Sequence, residues 1–225
     1  MNKDYQAYIA EGIATFALIF IGAGAILANA LSNNSIGLVG IALAHGLVLM
    51  CMVYATIHIS GAHVNPAVTL GLWVTEKIST VKALCYIAAQ LIGAALGGFL
   101  LRLLFVNVSA DLALGAPMLG PNVTFLGGIV VEAVLTFFLV FVVFGVAVDK
   151  RATPGIAGAA IGLVLTFDIL AGGVLTGAAM NPARAFGPMV AASFFKNQLV
   201  YWIGPILGGI IAALTYNTLL MNKKK

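Results

Sequence analysis

TGAAMNPARAFGP, residues 176–188, decides how this chain is read. It contains Arg184, the only cation between Arg151 and Lys196. An arginine is costly in hydrocarbon and marks a functional position where it occurs there. The three residues before it, Asn181-Pro182-Ala183, repeat Asn65-Pro66-Ala67. Asn is a favoured helix N-cap and Pro is favoured at the first helical position. Each tripeptide is therefore read as a helix start.

The surroundings are apolar throughout. Of 225 residues, 62% are hydrophobic and 8% charged, against roughly 25% charged in soluble domains. A soluble core could not hide that much apolar surface, so the chain is read as a polytopic membrane protein. The net charge of +4 comes from sparse basic residues, which gives no reason to expect a nucleic-acid partner. Lys223-Lys224-Lys225 reads as a cytoplasmic anchor after a final helix. Cys51 and Cys85 lie in apolar runs and are expected to be small core residues. The run Gly12 to Leu31 is too long for the apolar core of a cleavable signal, so a retained helix is expected.

Spanning the hydrocarbon takes about 20 apolar residues. Six runs meet or approach this, at about 6–29, 36–57, 81–105, 125–148, 155–172 and 198–220. The stretches at about 58–78 and 173–196 each hold one Asn-Pro-Ala and are too apolar for ordinary loops. Each has room for only a half-length helix, about 66–75 and 182–193. Six spans put both termini on one side. Lys3, Lys77, Lys82, Lys150, Arg151 and the terminal lysines share that side, which the basic excess marks as cytoplasmic. Arg102, Arg184 and Lys196 then belong to the outer side, and a cell membrane is the expected location.

The chain also repeats itself. AEGIATFALIF at 10–20 resembles VEAVLTFFLVF at 131–141, pairing Glu11 with Glu132. SGAHVNPAV at 60–68 matches TGAAMNPAR at 176–184, and GAALGG at 93–98 matches GPILGG at 204–209. One repeat holds three spans and a half-helix, and three is odd, so the second copy is inverted in the membrane. The expected fold is an all-α membrane protein of six transmembrane helices plus two re-entrant half-helices in an inverted repeat. It forms one membrane domain over 1–225, with repeats at 1–105 and 120–225. Inverted repeats place their site near the midplane, where broken helices meet. Glu11 and Glu132, one per repeat, are read as structural acceptors for the re-entrant loops, with proton relay as the alternative.

These motifs together resemble the aquaporin (major intrinsic protein) family over nearly the whole chain: both Asn-Pro-Ala contexts, both glutamates and YWIGPILGG. DILAGGVLTGAAMNPARAFGP and AVDK are most similar to its vacuolar-membrane (tonoplast) branch. The resemblance implies a pore in which Asn65 and Asn181 present amide donors at the midplane, each beside a half-helix N-terminus of about half a positive charge. By spacing to the motifs it implies an outer selectivity filter of His45, Ile169, Ala178 and Arg184, with His45 facing Arg184 across water. His63 falls near the cytoplasmic mouth, and His58 is read as structural. The glycerol branch carries Asp after the arginine and Lys four further on, where this chain has Ala185 and Met189, so water is favoured over glycerol. The set His, Ile, small, Arg resembles tonoplast-type channels that pass water and, in some cases, ammonia. Asp168 departs from the family pattern and reads either as a lumen-facing acceptor or as bonded to a neighbouring helix.

The expected function is a passive water channel that excludes protons and ions, with ammonia as a further candidate solute. A glycerol or urea facilitator is the alternative, ahead of a proton-coupled transporter or a junctional protein. No enzyme activity, cofactor or metal is expected. The partners expected are water, small neutral solutes and the lipid bilayer, and the resemblance implies a homotetramer.

Overall fold

The computed structural model describes residues 3–106 and 110–221, so the terminal lysines lie outside the described residues. Six helices are long and apolar enough to span a membrane. They are α1 (Lys3–Leu31), α2 (Gly37–Ser60), α4 (Thr80–Leu104), α5 (Phe125–Val148), α6 (Ala157–Thr176) and α8 (Val200–Leu220). Two short helices lie between them, α3 (Pro66–Val74) and α7 (Pro182–Ala192). A short 3-10 segment at Ala110–Gly115, kinked at Ala113 and Leu114, lies in the loop between α4 and α5. No strand occurs among the described residues.

The half-helices begin as their sequences require. Asn65 and Asn181 are extended N-caps, with Pro66 and Pro182 in the first turn. The Asn65 side chain accepts from the Ala67 N–H at 2.8 Å, and Asn181 from Ala183 at 3.0 Å and Arg184 at 3.2 Å. The helices before them stop at glycine. Gly61 (φ 90°) and Gly177 (φ 80°) take the left-handed C-cap conformation after α2 and α6, which costs glycine no steric clash. Helix α1 begins earlier than its apolar run, because its first turn (Asp4, Tyr5, Gln6) is polar enough to leave the hydrocarbon and still helical.

Helix α1 packs on α4, α5 on α8, and α2 on α6. The half-helices are exchanged between the halves: α3 packs on α8 and α7 on α4. The inverted repeat is visible in reciprocal contacts. A Cβ on Gly46 would stand 2.5 Å from the Gly162 carbonyl oxygen, and one on Gly162 would stand 2.5 Å from that of Gly46. These two glycines occupy matching places in the two halves, and they let α2 and α6 cross at backbone contact.

The small residues of 93–98 and 204–209 are also used within the chain. Gly93 meets the Gly12 backbone, Gly98 meets Gly187, Gly208 meets Ala133 and Gly209 meets Ala67. The two cysteines depart from expectation. Cys51 is exposed and Cys85 only half-buried, both as free thiols. In a bilayer the outward face of a helix is as apolar as the inward one, so an apolar run does not by itself place a residue in the core.

Candidate functional site

The two re-entrant loops carry uncommon backbone. Ala62 and Val64, and at the matching places Ala178 and Met180, have φ between 45° and 53°. Non-glycine residues in the left-handed region are uncommon, and a β-branched one such as Val64 is an outlier. Such conformations persist only where the surroundings over-determine them, and here the glutamates do so. Glu11 accepts from the His63 N–H (2.9 Å), the Val64 N–H (2.7 Å), Ser60 Oγ (2.7 Å) and Gln90 Nε2 (2.8 Å). Glu132 accepts from the Ala179 N–H (3.0 Å), the Met180 N–H (2.7 Å) and Thr176 Oγ1 (2.7 Å). Ser60 and Thr176 hydroxyls take the N–H groups of Ala62 and Ala178. Tyr86 and Tyr201 donate to the Ser60 and Thr176 carbonyls.

The loop N–H groups are thus satisfied from behind. Among the described residues no protein donor reaches the carbonyls of residues 61–63 or 177–179. Backbone of this kind survives at membrane depth only where it is packed in protein or lines a wet cavity. A cavity is present. It is narrow, and it is lined by Ala62, His63, Val64 and Asn65 of the first loop and by Ala178, Ala179 and Asn181 of the second.

Each asparagine is anchored to the opposite loop. Asn65 Nδ2 donates to the Met180 carbonyl at 2.8 Å, and Asn181 Nδ2 donates to the Val64 carbonyl at 2.9 Å. The sequence reading left the whole NH2 group free for the lumen. One of its two hydrogens is instead spent on holding the halves together, and one remains.

At the outer end, Arg184 and His45 also line the cavity. They touch each other, with Arg184 Nη2 at 3.2 Å from His45 Nε2, so no water separates them as expected above. His45 Nδ1 lies 2.9 Å from the Ile41 carbonyl. That carbonyl can only accept, which puts the proton on Nδ1 and leaves Nε2 to accept from the guanidinium. Arg184 Nη1 donates to the Gly115 carbonyl at 2.9 Å, while its buried Nε has no protein partner. Ala178 lines the same space. Ile169, one turn beyond Leu165 on the same helix and also buried, does not border this cavity, whereas Ile161 and Leu165 do.

Asp168 follows neither of its two expected roles. It is 1% exposed, it does not line the cavity, and its Oδ2 has no hydrogen-bond partner. His63 lines the cavity, 3.1 Å from Thr69 Oγ1 and edge-on to Tyr86. His58 is exposed. Met189 is fully buried away from the lumen, in the cluster with Ala185 and Tyr201.

Several residues of this site were not singled out from sequence. Gly22 leaves room for the His45 ring, because a Cβ there would stand 2.5 Å from the imidazole. Gly115 supplies the Arg184 acceptor after two left-handed residues, Ala113 and Leu114. Arg102 donates to the Ala191 carbonyl at 2.9 Å, closing the C-terminal end of α7. Signals for them existed in part, as a glycine in an apolar helix and a basic residue in the last turn of another.

Six spans, two exchanged half-helices and a lumen between them define a pore-forming integral membrane protein. The major intrinsic protein model matches residues 1–216. The chain is 44% identical over 222 residues to aquaporin TIP4-4 of Zea mays, covering 96% of this chain and 87% of that protein. It is 41% identical over 212 residues to nodulin-26 of Glycine max, covering 94% and 77%. Its fold matches the solved aquaglyceroporin of Plasmodium falciparum with a TM-score of 0.86 at 25% identity, over 96% of this chain and 97% of that one. The chain belongs to the major intrinsic protein family, the family of aquaporin channels.

Proposed function

We propose that this chain is a passive water channel that excludes protons and ions. The observation that carries the reading is the outer end of the lumen, where Arg184 lies 3.2 Å from His45. Ala178 lines the cavity beside this pair. Arg184 offers fixed donors and repels cations. At the midplane, the remaining amide hydrogens of Asn65 and Asn181 receive a water oxygen, and two half-helix N-termini oppose positive charge. Water bound on both sides by donors cannot pass a proton along a continuous chain of acceptors. This is the accepted general account of such pores, applied here to these residues. Unpartnered loop carbonyls accept from water along the rest of the path.

Glu11 and Glu132 act as supports in this reading, since every carboxylate oxygen already faces a loop N–H. Ammonia, a neutral molecule close to water in size, is the second solute proposed. The glycerol alternative has Ala185 and Met189 against it. The domain is a single channel over 1–225, with repeats at 1–105 and 120–225, and both termini are placed on the cytoplasmic side by the basic residues. A homotetramer is proposed on family grounds alone, because the small-residue patches are consumed within one chain. The cell membrane is the proposed location, with the tonoplast as the alternative suggested by the branch it resembles; membrane fractionation with an epitope tag separates them.

The test is osmotic shrinkage of proteoliposomes, with parallel glycerol and ammonia assays. Fast water flux with slow glycerol flux supports the reading. Glycerol flux as fast as water supports the alternative.

A further inference from the structure

The repeat relates residues around the lumen in mirror pairs. Aligning Asn65 with Asn181 pairs Val68 with Arg184, His63 with Ala179 and Thr69 with Ala185. Aligning GAALGG with GPILGG pairs Gln90 with Tyr201. The first half therefore carries three polar side chains, His63, Thr69 and Gln90, whose mirror positions hold alanine, alanine and tyrosine. The three are joined to one another. His63 Nδ1 lies 3.1 Å from Thr69 Oγ1, and Gln90 Nε2 donates to Thr69 Oγ1 at 3.0 Å and to Glu11 Oε2 at 2.8 Å. Thr69 and Gln90 are fully buried, and of the three only His63 lines the lumen.

The hydrogens in this network can be assigned one after another. An amide nitrogen has two hydrogens and accepts nothing. Gln90 Nε2 spends one on Glu11 and the other on Thr69. Thr69 Oγ1 is left with its own hydrogen and one acceptor site. The hydrogen goes to the Asn65 carbonyl one turn back, at 3.1 Å, the usual bond of a helical threonine. The acceptor site then faces His63 Nδ1, which puts the imidazole proton there. In a neutral imidazole the other nitrogen can only accept. Among the described residues no protein donor reaches His63 Nε2.

That acceptor differs from every other polar side chain lining the cavity. The Asn65 and Asn181 side-chain oxygens are turned to helix N–H groups, which leaves amide donors for the lumen. Arg184 only donates, and His45 Nε2 is taken by Arg184. We infer that Thr69 and Gln90 are positioning residues that fix the tautomer of His63, and that His63 Nε2 is the side-chain acceptor by which the cytoplasmic half of the lumen orients water. This rests on the water-channel reading above. A water that donates to Nε2 keeps its oxygen for a neighbour in the file. With the proton on Nε2 instead, every polar side chain of the lumen would be a donor, and water at this level would be held by its oxygen.

The test uses the full chain, carrying isotope-labelled histidine and reconstituted in lipid. Solid-state nitrogen NMR separates protonated from bare ring nitrogens, and the His63 signals are those lost in His63→Asn. The expected wild-type spectrum has a protonated Nδ1 and a bare Nε2. Thr69→Val keeps the shape and removes the acceptor, so both tautomers are expected to appear; Thr69→Ser is expected to restore one. Water permeability per channel should fall by roughly two-fold or more in Thr69→Val and recover in Thr69→Ser. A threonine that served packing alone would lower flux without moving the tautomer. A bare Nδ1 in the wild type overturns the inference, and so does a wild-type spectrum in Thr69→Val. Wild-type flux no higher than that of empty liposomes would instead count against the water-channel reading, while the spectra would still judge the network.

Discussion

At Arg184 a single charged side chain is held by two acceptors from different elements: His45 of α2 and the Gly115 carbonyl of the outer loop. With 3% of its surface exposed, it is positioned by the protein and faces only the lumen. Replacing it with the residue at its mirror position, Arg184→Val, removes both bonds and the charge. The expected result is a gain of glycerol or urea flux and a weaker barrier to protons, read with a pH-sensitive dye inside liposomes. Gly22 gives a subtler test. In Gly22→Ala the new Cβ would lie 2.5 Å from the His45 ring, so the imidazole must shift into the passage. Water permeability is expected to fall by half or more, whereas Gly12→Ala, whose Cβ would sit 3.4 Å from its nearest neighbour, serves as the tolerated control. Asp168 is a residue with a cost and no visible return. Relieving a buried unsatisfied polar atom is worth about 1–3 kcal/mol. Asp168→Leu is therefore expected to raise the thermal stability of the purified protein with little change in flux.

The re-entrant loops show at the level of elements how far the sequence was readable. The half-helices could be placed to within a residue or two, because Asn-Pro states an N-cap and a first helical position in plain chemistry. The support by Glu11 and Glu132 was foreseen as a class of contact. Its geometry was not, because left-handed Val64 and Met180 obey no propensity and exist only through the bonds made to them. The Asn-to-opposite-loop bonds were missed for a related reason: they join residues from different halves, and no local pattern encodes them. The same holds for His45 meeting Arg184, where spacing suggested two walls of one passage but could not give the gap between them. The element-level prediction concerns Glu132→Gln. It replaces one carboxylate oxygen by an NH2 group facing a loop N–H. Hydrogen bonds to charged groups are worth about 1.5–3 kcal/mol, so the second loop is expected to lose its conformation. The readout is at least a several-fold loss of water flux at equal protein loading.

Two reciprocal seams hold the whole molecule together, Gly46 against Gly162 and each half-helix against the other repeat. A further tie joins the ends of α5 and α8. Arg151 pairs with Asp149 and donates to the Leu220 carbonyl at 2.8 Å, and Tyr216 reaches Asp149 at 3.4 Å. The hydrogen bonds from Arg151 hold the Asp149 carboxyl well below the usual carboxylate range. A carboxyl depressed on folding adds stability above its unfolded value and loses it only as pH falls through the folded one. Arg151→Gln is therefore expected to melt at a lower temperature than wild type at neutral pH. The difference should shrink in strong acid, where Asp149 is protonated in both and only the bond to the Leu220 carbonyl still separates them.

The central claim is that water passes through the lumen between Asn65 and Asn181. Stopped-flow shrinkage of liposomes holding the purified chain tests it most directly. The predicted result is water permeability many times that of empty liposomes, with a weak temperature dependence and no accompanying proton flux. Permeability no higher than that of empty liposomes, from protein shown to be folded and inserted, would contradict it.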